Sequence, residues 1–536
     1  MVKVTFLDYG AGNILSLRNA LEKVGCEIED VTSPDDIANA KILIFPGVGS
    51  LGVCIDNLHT KGFFEPLKAY VNSGRPFYGI CLGMQSLFEG SEESPGKAGL
   101  SVIPGMVNLF RDKSVSVPHM GWNSLRFQQD SPLSAGFTSM EHRFYFVHSF
   151  RAEPTPANKD WVLSLTDYGS PENTFISSVQ KGKVCASQFH PEKSGANGLA
   201  MLASFLSMAT AAEIPACNPA PCDGRTQLAK RIIACLDVRA NDSGDLVVTK
   251  GDQYDVREKS DGGGDVRNLG KPVELARRYS DEGADEVTFL NITSFRGEVV
   301  DDPMLKVLEM TSKNVFVPLC IGGGIRGYTD SKGVEHTALD AASAYFRSGA
   351  DKVSIGSDAV YAALKYRADG IKDGTSSIEL ISNVYGRQAV VISVDPKRAY
   401  VDSVGDSKHT VLPVEDGKFC WWQCTVKGGR ETADLDAFEL AQACEALGAG
   451  EILLNCIDKD GQNSGFDHAL IGQMKKSVSI PVIASSGAGN PQHFVDVFKA
   501  TNADAGLAAG IFHRREVGID QVKAGVAAAG IPVRPV

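Results

Sequence analysis

Two stretches decide the fold of the second half of this 536-residue chain: GADEVTFLNIT, Gly283 to Thr293, and GAGEILLNCID, Gly448 to Asp458. They share Gly, Ala, Glu and Ile at an offset of 165 residues. Each is an apolar run entered from a small-residue turn, the pattern of a buried strand. Three further pairs follow in the same order. RIIACLDV (Arg231–Val238) pairs with AVVISVDPK (Ala389–Lys397), which aligns Asp237 with Asp395. FVPLCIGGGI (Phe316–Ile325) pairs with SIPVIASSGAG (Ser479–Gly489), and GADKVSIGS (Gly349–Ser357) with NADAGLAAG (Asn502–Gly510). Four matched pairs in one order mean an internal duplication. Each half carries four strand-rich segments at helix-length intervals, so eight strands fall within about 310 residues, the size of a TIM barrel. The expected fold is a (β/α)8 barrel with half-barrel duplication, interrupted by insertions around DGGGD (Asp261–Asp265) and between Gly370 and Ser377.

Upstream, the pattern is different. VKVTFLDY reads as a strand, Ile14 to Lys23 as a helix, KILIFPG as a strand, then another helix and the strand PFYGI before Cys81. This alternation predicts a layered α/β domain. Around ATAAEIPACNPAPCDGR the hydrophobic period gives way to prolines, alanines and small polar residues. The boundaries are set at 1–209 for the first domain, 210–226 for a linker and 227–536 for the barrel.

Composition limits the partners. Lys plus Arg is 53 against 65 for Asp plus Glu, a formal net charge of −12, which disfavours nucleic acid. A phosphorylated ligand must then be held by local amide nests and a few positioned cations. The longest near-apolar stretch, Gly198 to Ala212, contains Ser204, Ser207 and Thr210 and is too short and polar to span a membrane. The opening MVKVTFLDYG shows no signal or transit pattern, so the expected address is the cytosol. Twelve cysteines lack framework spacing, and Cys420 and Cys424 make a poor zinc or redox motif; most read as reduced core residues. No metal cluster or nucleotide fingerprint is evident, so no cofactor is expected.

The exception among the cysteines is Cys81. GICLGMQ delivers Gly79, Ile80, Cys81, Leu82 and Gly83 from a strand directly into a helical pattern, the G-x-C-x-G form of a nucleophile elbow with sulfur in place of hydroxyl. A following helix N-terminus favours thiolate. FHPE supplies His190 and Glu192, a base with a carboxylate two residues on. PGVG, with Gly47, Val48 and Gly49, offers a second glycine loop for an oxyanion. Each piece alone has a bland reading, since a lone cysteine is more often core than nucleophile. Together and in this order they resemble the class I glutamine amidotransferases, whose domain is a flavodoxin-like α/β layer, across nearly all of residues 1–207. The resemblance implies that Cys81 attacks the glutamine carboxamide, His190 shuttles protons and Glu192 orients His190. Gly47, Val48, Gly49 and Leu82 would serve the oxyanion, and Gly49, Gln85, Ser149 and Phe150 would bind glutamine. VPHMGWN (Val117–Asn123) is similar to the branch that serves imidazole glycerol phosphate synthase.

In the barrel, Asp237 and Asp395 each end an apolar strand. Strands one and five stand opposite each other, so the pair can flank one central substrate and perform acid/base work. A strand-end aspartate is often only a cap, but a symmetry-matched pair is harder to read that way. Lys250, in VVTKGDQYD, is placed to reach inward from the first loop or the second strand turn, and its bland reading is a solvated lysine. Glycine clusters recur symmetrically: Gly322, Gly323 and Gly324 with Gly356 and Ser357, and Ser485, Ser486 and Gly487 with Ala509 and Gly510. Two such nests imply a ligand with two phosphates. LAKRIIACLDV, FLNIT, CIGGGIR, ADKVSIGS, AGEILLNCIDKDG and ASSGAG resemble the cyclase subunit of imidazole glycerol phosphate synthase over residues 227–534. The joined order is similar to the bifunctional eukaryotic form. The resemblance implies that Asp237 and Asp395 are the acid/base pair, that Asp460 lies in the substrate site, that the partners are glutamine and a bisphosphorylated ribotide, and that the chain is a monomer with both activities. Asn291 and Ser486 depart from the Asp and Gly of many relatives.

Strand parity adds one inference. Arg231 precedes Asp237 by six residues, so both face the same side and lie about 20 Å apart at opposite barrel ends. Glu286, Lys352 and Glu451 begin their own strands, so two cations and two anions would ring the bottom. A ring there ordinarily means stability; the family resemblance implies an ammonia gate, with the first domain docked at that end. Two alternatives stand beside this reading: a sugar-phosphate isomerase barrel, which the attached glutaminase opposes, and a glutamine sensor without turnover, which the intact Cys81, His190 and Glu192 oppose.

Overall fold

The computed structural model describes residues 1–10, 12–214, 224–240, 246–249, 269–292, 302–330 and 332–536. Lys250, the Asp261–Asp265 stretch and residues 215–223 of the expected linker lie outside the described residues. Two compact units emerge, the first built on Met1–Ala229 and the second on Lys230–Asn383 and Arg387–Val536.

The first unit is an eight-stranded sheet ordered Cys26–Asp30, Val2–Phe6, Leu43–Phe45, Phe77–Ile80, Val184–Ser187, Ser170–Lys181, Val162–Tyr168 and Arg126–Phe127. The first five strands are parallel and the rest antiparallel. Helices Leu15–Lys23, Pro34–Asn39, Leu51–Thr60, Phe64–Asn72 and Gly195–Thr210 accompany it. The short strands Leu43–Phe45 and Phe77–Ile80 are buried at every position, as a parallel strand covered on both faces must be. Leu7, Phe45, Leu67, Phe77, Leu82 and Ile176 belong to the core.

The second unit is a closed barrel of eight parallel strands: Arg231–Ala240, Glu286–Asn291, Leu319–Gly322, Lys352–Ile355, Val390–Val394, Glu451–Asn455, Val482–Ser485 and Ala505–Ala508. They pair in chain order, and Arg231 opposite Ala505 closes the ring. Every segment assigned from the duplication becomes a barrel strand. Ile233, Cys235, Cys320, Val391, Leu453, Ile483 and Leu507 share one buried cluster. Because side chains alternate along a strand, the membership of Ile233 and Cys235 puts Arg231 and Asp237 on that same face.

The main departure from expectation lies after the fifth strand. Pro396–Val401, Leu412–Pro413, Phe419–Val426 and Glu431–Asp436 form a separate antiparallel sheet before the next helix begins at Ala437. Arg398 ties this excursion down, donating to the buried Asp467 carboxylate at 2.7 and 3.0 Å. Gly370–Ser377, by contrast, is only a link between helices Ser357–Asp369 and Ser377–Tyr385. At the chain end, Arg534 and Lys523 both donate to Asp285 Oδ1 at 2.7 Å, fixing the last residues to the start of the second strand.

Ser486 has φ 71°, the left-handed region, and Gly487 follows at φ 97°. That conformation costs a residue with a side chain about 1–2 kcal/mol. Glycine there relieves the strain but adds about 0.4–1 kcal/mol of unfolded-chain entropy. Ser486→Gly is therefore expected to stabilise the barrel by up to about 1 kcal/mol. A higher denaturant midpoint at unchanged slope bears this out, and a lower midpoint contradicts it.

Candidate active sites

The elbow in the first unit is built by backbone proximity. Cys81 follows the strand Phe77–Ile80 with φ 51° and ψ −99° and caps the short helix Leu82–Gln85. A Cβ on Gly79 would lie 2.8 Å from the Gly83 carbonyl oxygen, and one on Gly47 would lie 2.5 Å from the Gly83 nitrogen. The loop bearing Gly47, Val48 and Gly49 is thus pressed against Leu82 and Gly83. Tyr9 pins the same loop by donating to the Val48 carbonyl at 3.1 Å.

Register brings the base to the sulfur. Val184–Ser187 runs parallel to Phe77–Ile80 with Ser187 opposite Ile80, so the residues that follow each strand meet beyond its end. His190 Nδ1 lies 2.8 Å from Glu192 Oε1, and both residues are buried. Burial opposes protonation of His190, but the Glu192 carboxylate and the Cys81 sulfur, each hydrogen-bonded to the ring, hold it well above the ordinary imidazole range. With Nδ1 on Glu192, Nε2 is the nitrogen left for sulfur. Cys81, His190 and Glu192, expected from the sequence as nucleophile, base and orienting group, therefore come together in one buried cluster.

Around them the sequence reading missed three residues. Gln85 donates through Nε2 to the Phe150 carbonyl at 3.1 Å and to Gln188 Oε1 at 3.0 Å, and Gln188 Nε2 lies 3.4 Å from Cys81 Sγ. His148 Nδ1 lies 2.8 Å from the same Phe150 carbonyl, and His148 Nε2 lies 3.1 Å from His119 Nδ1. Burial drops His148 to about 3 and His119 well below its usual value, so both rings are neutral at physiological pH. A carbonyl only accepts, so His148 carries its proton on Nδ1 and accepts from His119. Histidine placed on a hydrophobic face reads as core in sequence; here the pair braces the Ser149–Phe150 segment. Ser149 Oγ is buried without a hydrogen-bond partner, consistent with a polar ligand at that edge.

In the barrel, Asp237 lies on the first strand and Asp395 follows the fifth. Asp395 Oδ1 accepts from Asn455 Nδ2 at 2.7 Å and Ser393 Oγ at 3.2 Å. Burial raises its carboxyl, those two donors lower it, and the Asp460 charge adds to the rise; the net direction is upward. Asn291 closes the second strand as Asn455 closes the sixth, and pairs with Val238, next to Asp237. The glycine nests sit at the ends of neighbouring strands. Gly323 and Gly324, both at positive φ, follow the third strand, and Gly356 and Ser357 follow the fourth. Ser485, Ser486 and Gly487 close the seventh, and Ala509 and Gly510 follow the eighth.

At the other end the four charges predicted to ring the bottom do converge. Arg231 Nη1 donates to Glu286 at 3.1 Å and Arg231 Nη2 to Glu451; Lys352 Nζ reaches Glu286 at 2.7 Å and Glu451 at 2.6 Å. All four are buried and each begins its strand. Burial raises Glu286, whereas at Glu451 Arg231 and Lys352 overcome the same penalty and lower it.

Among the described residues, one group has metal-like spacing: His409, Asp436 and Glu439. Its donors are already committed. His409 bridges Asp434 and Glu439, Arg367 pairs with Glu439, and Asp436 caps the helix that follows. The ten described cysteines form no disulfide and are buried. No described helix is long and apolar enough to cross a membrane.

Residues 5–209 match the family of class-I glutamine amidotransferases, and residues 231–518 match the family described as histidine biosynthesis protein. The fold is that of an amidotransferase domain followed by a histidine-biosynthesis barrel. The chain is 54% identical to imidazole glycerol phosphate synthase hisHF of Emericella nidulans over 549 residues, covering 100% of this chain and 99% of that protein. It is 54% identical to the chloroplastic hisHF of Arabidopsis thaliana over 539 residues, covering 99% of this chain and 89% of that protein. It is 41% identical to the HisF subunit of Methanocaldococcus jannaschii over 309 residues, covering 57% of this chain and 99% of that protein. The chain belongs to the bifunctional imidazole glycerol phosphate synthases, enzymes of histidine biosynthesis that join a glutamine amidotransferase to a cyclase.

The Asp395 carboxyl offers a direct check. Asn455→Leu keeps the bulk but removes a donor to the ionised form, so Asp395 is expected to titrate at higher pH than in the parent. A carbon-13 NMR titration of labelled aspartates reads this shift, and a downward shift rules the argument out.

Proposed function

We propose that Cys81, His190 and Glu192 hydrolyse glutamine and that the ammonia released is consumed in the barrel at Asp237 and Asp395. The observation that carries the reading is the convergence of a strained cysteine, a carboxylate-bound histidine and a glycine loop on one point. The Cys81 sulfur attacks the carboxamide carbon, and Gly47, Val48, Gly49 and Leu82 face the developing oxyanion. Collapse breaks the C–N bond as His190 gives its proton to the leaving nitrogen, so ammonia departs and a glutamyl thioester remains. Water, deprotonated by His190, then releases glutamate and restores the sulfur. Gln85, Ser149 and Phe150 hold the glutamine.

In the barrel, the substrate is phosphoribulosyl formimino aminoimidazole carboxamide ribotide. One phosphate rests on Gly323, Gly324, Gly356 and Ser357, and the other on Ser485, Ser486, Gly487, Ala509 and Gly510; Lys250 and Asp460 complete the site. Asp237 and Asp395 move protons as ammonia adds, the chain eliminates and the ring closes. The products are imidazole glycerol phosphate and aminoimidazole carboxamide ribotide. Ammonia must remain unprotonated to react, which favours a passage along the barrel axis over bulk water. Arg231, Glu286, Lys352 and Glu451 gate that passage. One chain, a monomer of the cytosol, carries both activities and needs no cofactor.

Cys81→Ala is expected to abolish glutamine-driven product formation, at least a thousandfold, while sparing the reaction with added ammonium; Asp237→Asn is expected to stop both. Equal loss of both activities in Cys81→Ala contradicts the division of labour. Removing Lys352 from a buried ion-pair network costs about 3–5 kcal/mol. In folded Lys352→Ala, product formed per glutamine hydrolysed is expected to fall by at least half. Unchanged coupling in that variant removes the gate.

A further inference from the structure

Gln188 has no role in the reading above, yet it is fully buried beside the reacting sulfur. Its position follows from strand register. Ser187 lies opposite Ile80, so Gln188 falls level with Cys81, and the Cys81 amide donates to the Ser187 carbonyl at 2.6 Å. His190 lies two residues further on, past a bend at Gln188 and Phe189, with φ −97° and ψ 100°. Gln188 and His190 both reach the sulfur from the segment that follows this strand.

The orientation of the Gln188 amide can be deduced without choosing between its oxygen and nitrogen. The Phe150 carbonyl only accepts, so Gln85 must turn its NH2 toward it. The second hydrogen of that NH2 goes to Gln188, which must therefore present Oε1 to Gln85. Only the NH2 of Gln188 is left for Cys81, at 3.4 Å from Sγ. Neutral His148, donating to the same Phe150 carbonyl, fixes the anchor of this chain.

We propose that Gln188 is a further catalytic residue of the glutaminase, donating an N–H to the Cys81 sulfur and so favouring the thiolate. The proposal rests on Cys81 being the nucleophile. A sulfur hydrogen-bonded on one side by His190 and on the other by an amide has its lone pairs fixed in direction, and the negative charge is spread over two donors rather than one. Gln85 is then a positioning residue: both of its N–H bonds are committed within the protein, which leaves its oxygen as the atom it can offer to glutamine.

The test uses the full chain. Gln188→Met and Gln188→Glu keep the length of the side chain, and each removes the N–H. Thiolate absorbance near 240 nm at fixed neutral pH, taken as the difference from Cys81→Ala, is expected to fall by at least half in both variants. The kcat for glutamine hydrolysis is expected to fall about threefold to tenfold, the effect of one lost hydrogen bond, and further in the glutamate variant through charge repulsion. An undiminished thiolate signal in either folded variant overturns the proposal. If Cys81→Ala still hydrolyses glutamine, the nucleophile assignment itself fails, and the absorbance comparison among the Gln188 variants, which needs no turnover, reads the contact separately.

Discussion

Cys81 holds a positive φ of 51° inside a turn whose surrounding main chains pack more closely than side chains would permit. Gly47, Gly79 and Gly83 each lie where a Cβ would collide with main-chain atoms. The strain at one non-glycine residue, of order 1–3 kcal/mol, is therefore borne by close packing around it. That packing places the sulfur at the end of a buried strand, where the parallel register of Phe77–Ile80 with Val184–Ser187 brings Gln188 and His190 toward it. A looser elbow would retain the same residues without their alignment.

The barrel poses the opposite problem, holding charge where water is absent. Arg231, Glu286, Lys352 and Glu451 balance in number, and each carboxylate meets both cations. A buried network of this kind is weak as a source of stability, since apolar replacements of equal volume are often neutral or better, while loss of one member is costly. At the far end, in a chain of net charge −12, glycine-rich turns follow four strands, and backbone amides of that kind are what the proposed two-phosphate site calls for in place of a global positive field.

Much of this was legible because it rests on periodicity. The duplication located all eight barrel strands, and two-residue alternation placed Arg231 and Asp237 on one face and brought four charges from four strands to one level. The Cys81 elbow was legible because glycine spacing there is a steric requirement. What escaped has equally physical reasons. The antiparallel sheet at Pro396–Asp436 interrupts the βα rhythm with short strands whose partners lie within the excursion. His119 and His148 were not singled out in sequence, because their hydrogen bonds to each other and to a carbonyl emerge only once strands His119–Ser124 and Arg143–His148 pair. Asn455 was aligned with Leu290 by the repeat, so its bond to Asp395 carried no mark in sequence. Gln188 carried no such mark either: a bend at Gln188 and Phe189 follows the strand, so its contact with the sulfur emerges only in the fold.

The two units divide one transformation into making a small nucleophile and consuming it, and the account stands on the identity of the atom that passes between them. Supplying glutamine labelled with nitrogen-15 in its carboxamide, in the presence of excess unlabelled ammonium at a pH where little is unprotonated, tests this directly. The account predicts that the new imidazole nitrogen carries the label at nearly the enrichment of the glutamine. Label diluted to the level of the bulk ammonium pool would contradict protected transfer, and absence of label from the imidazole would contradict the account as a whole.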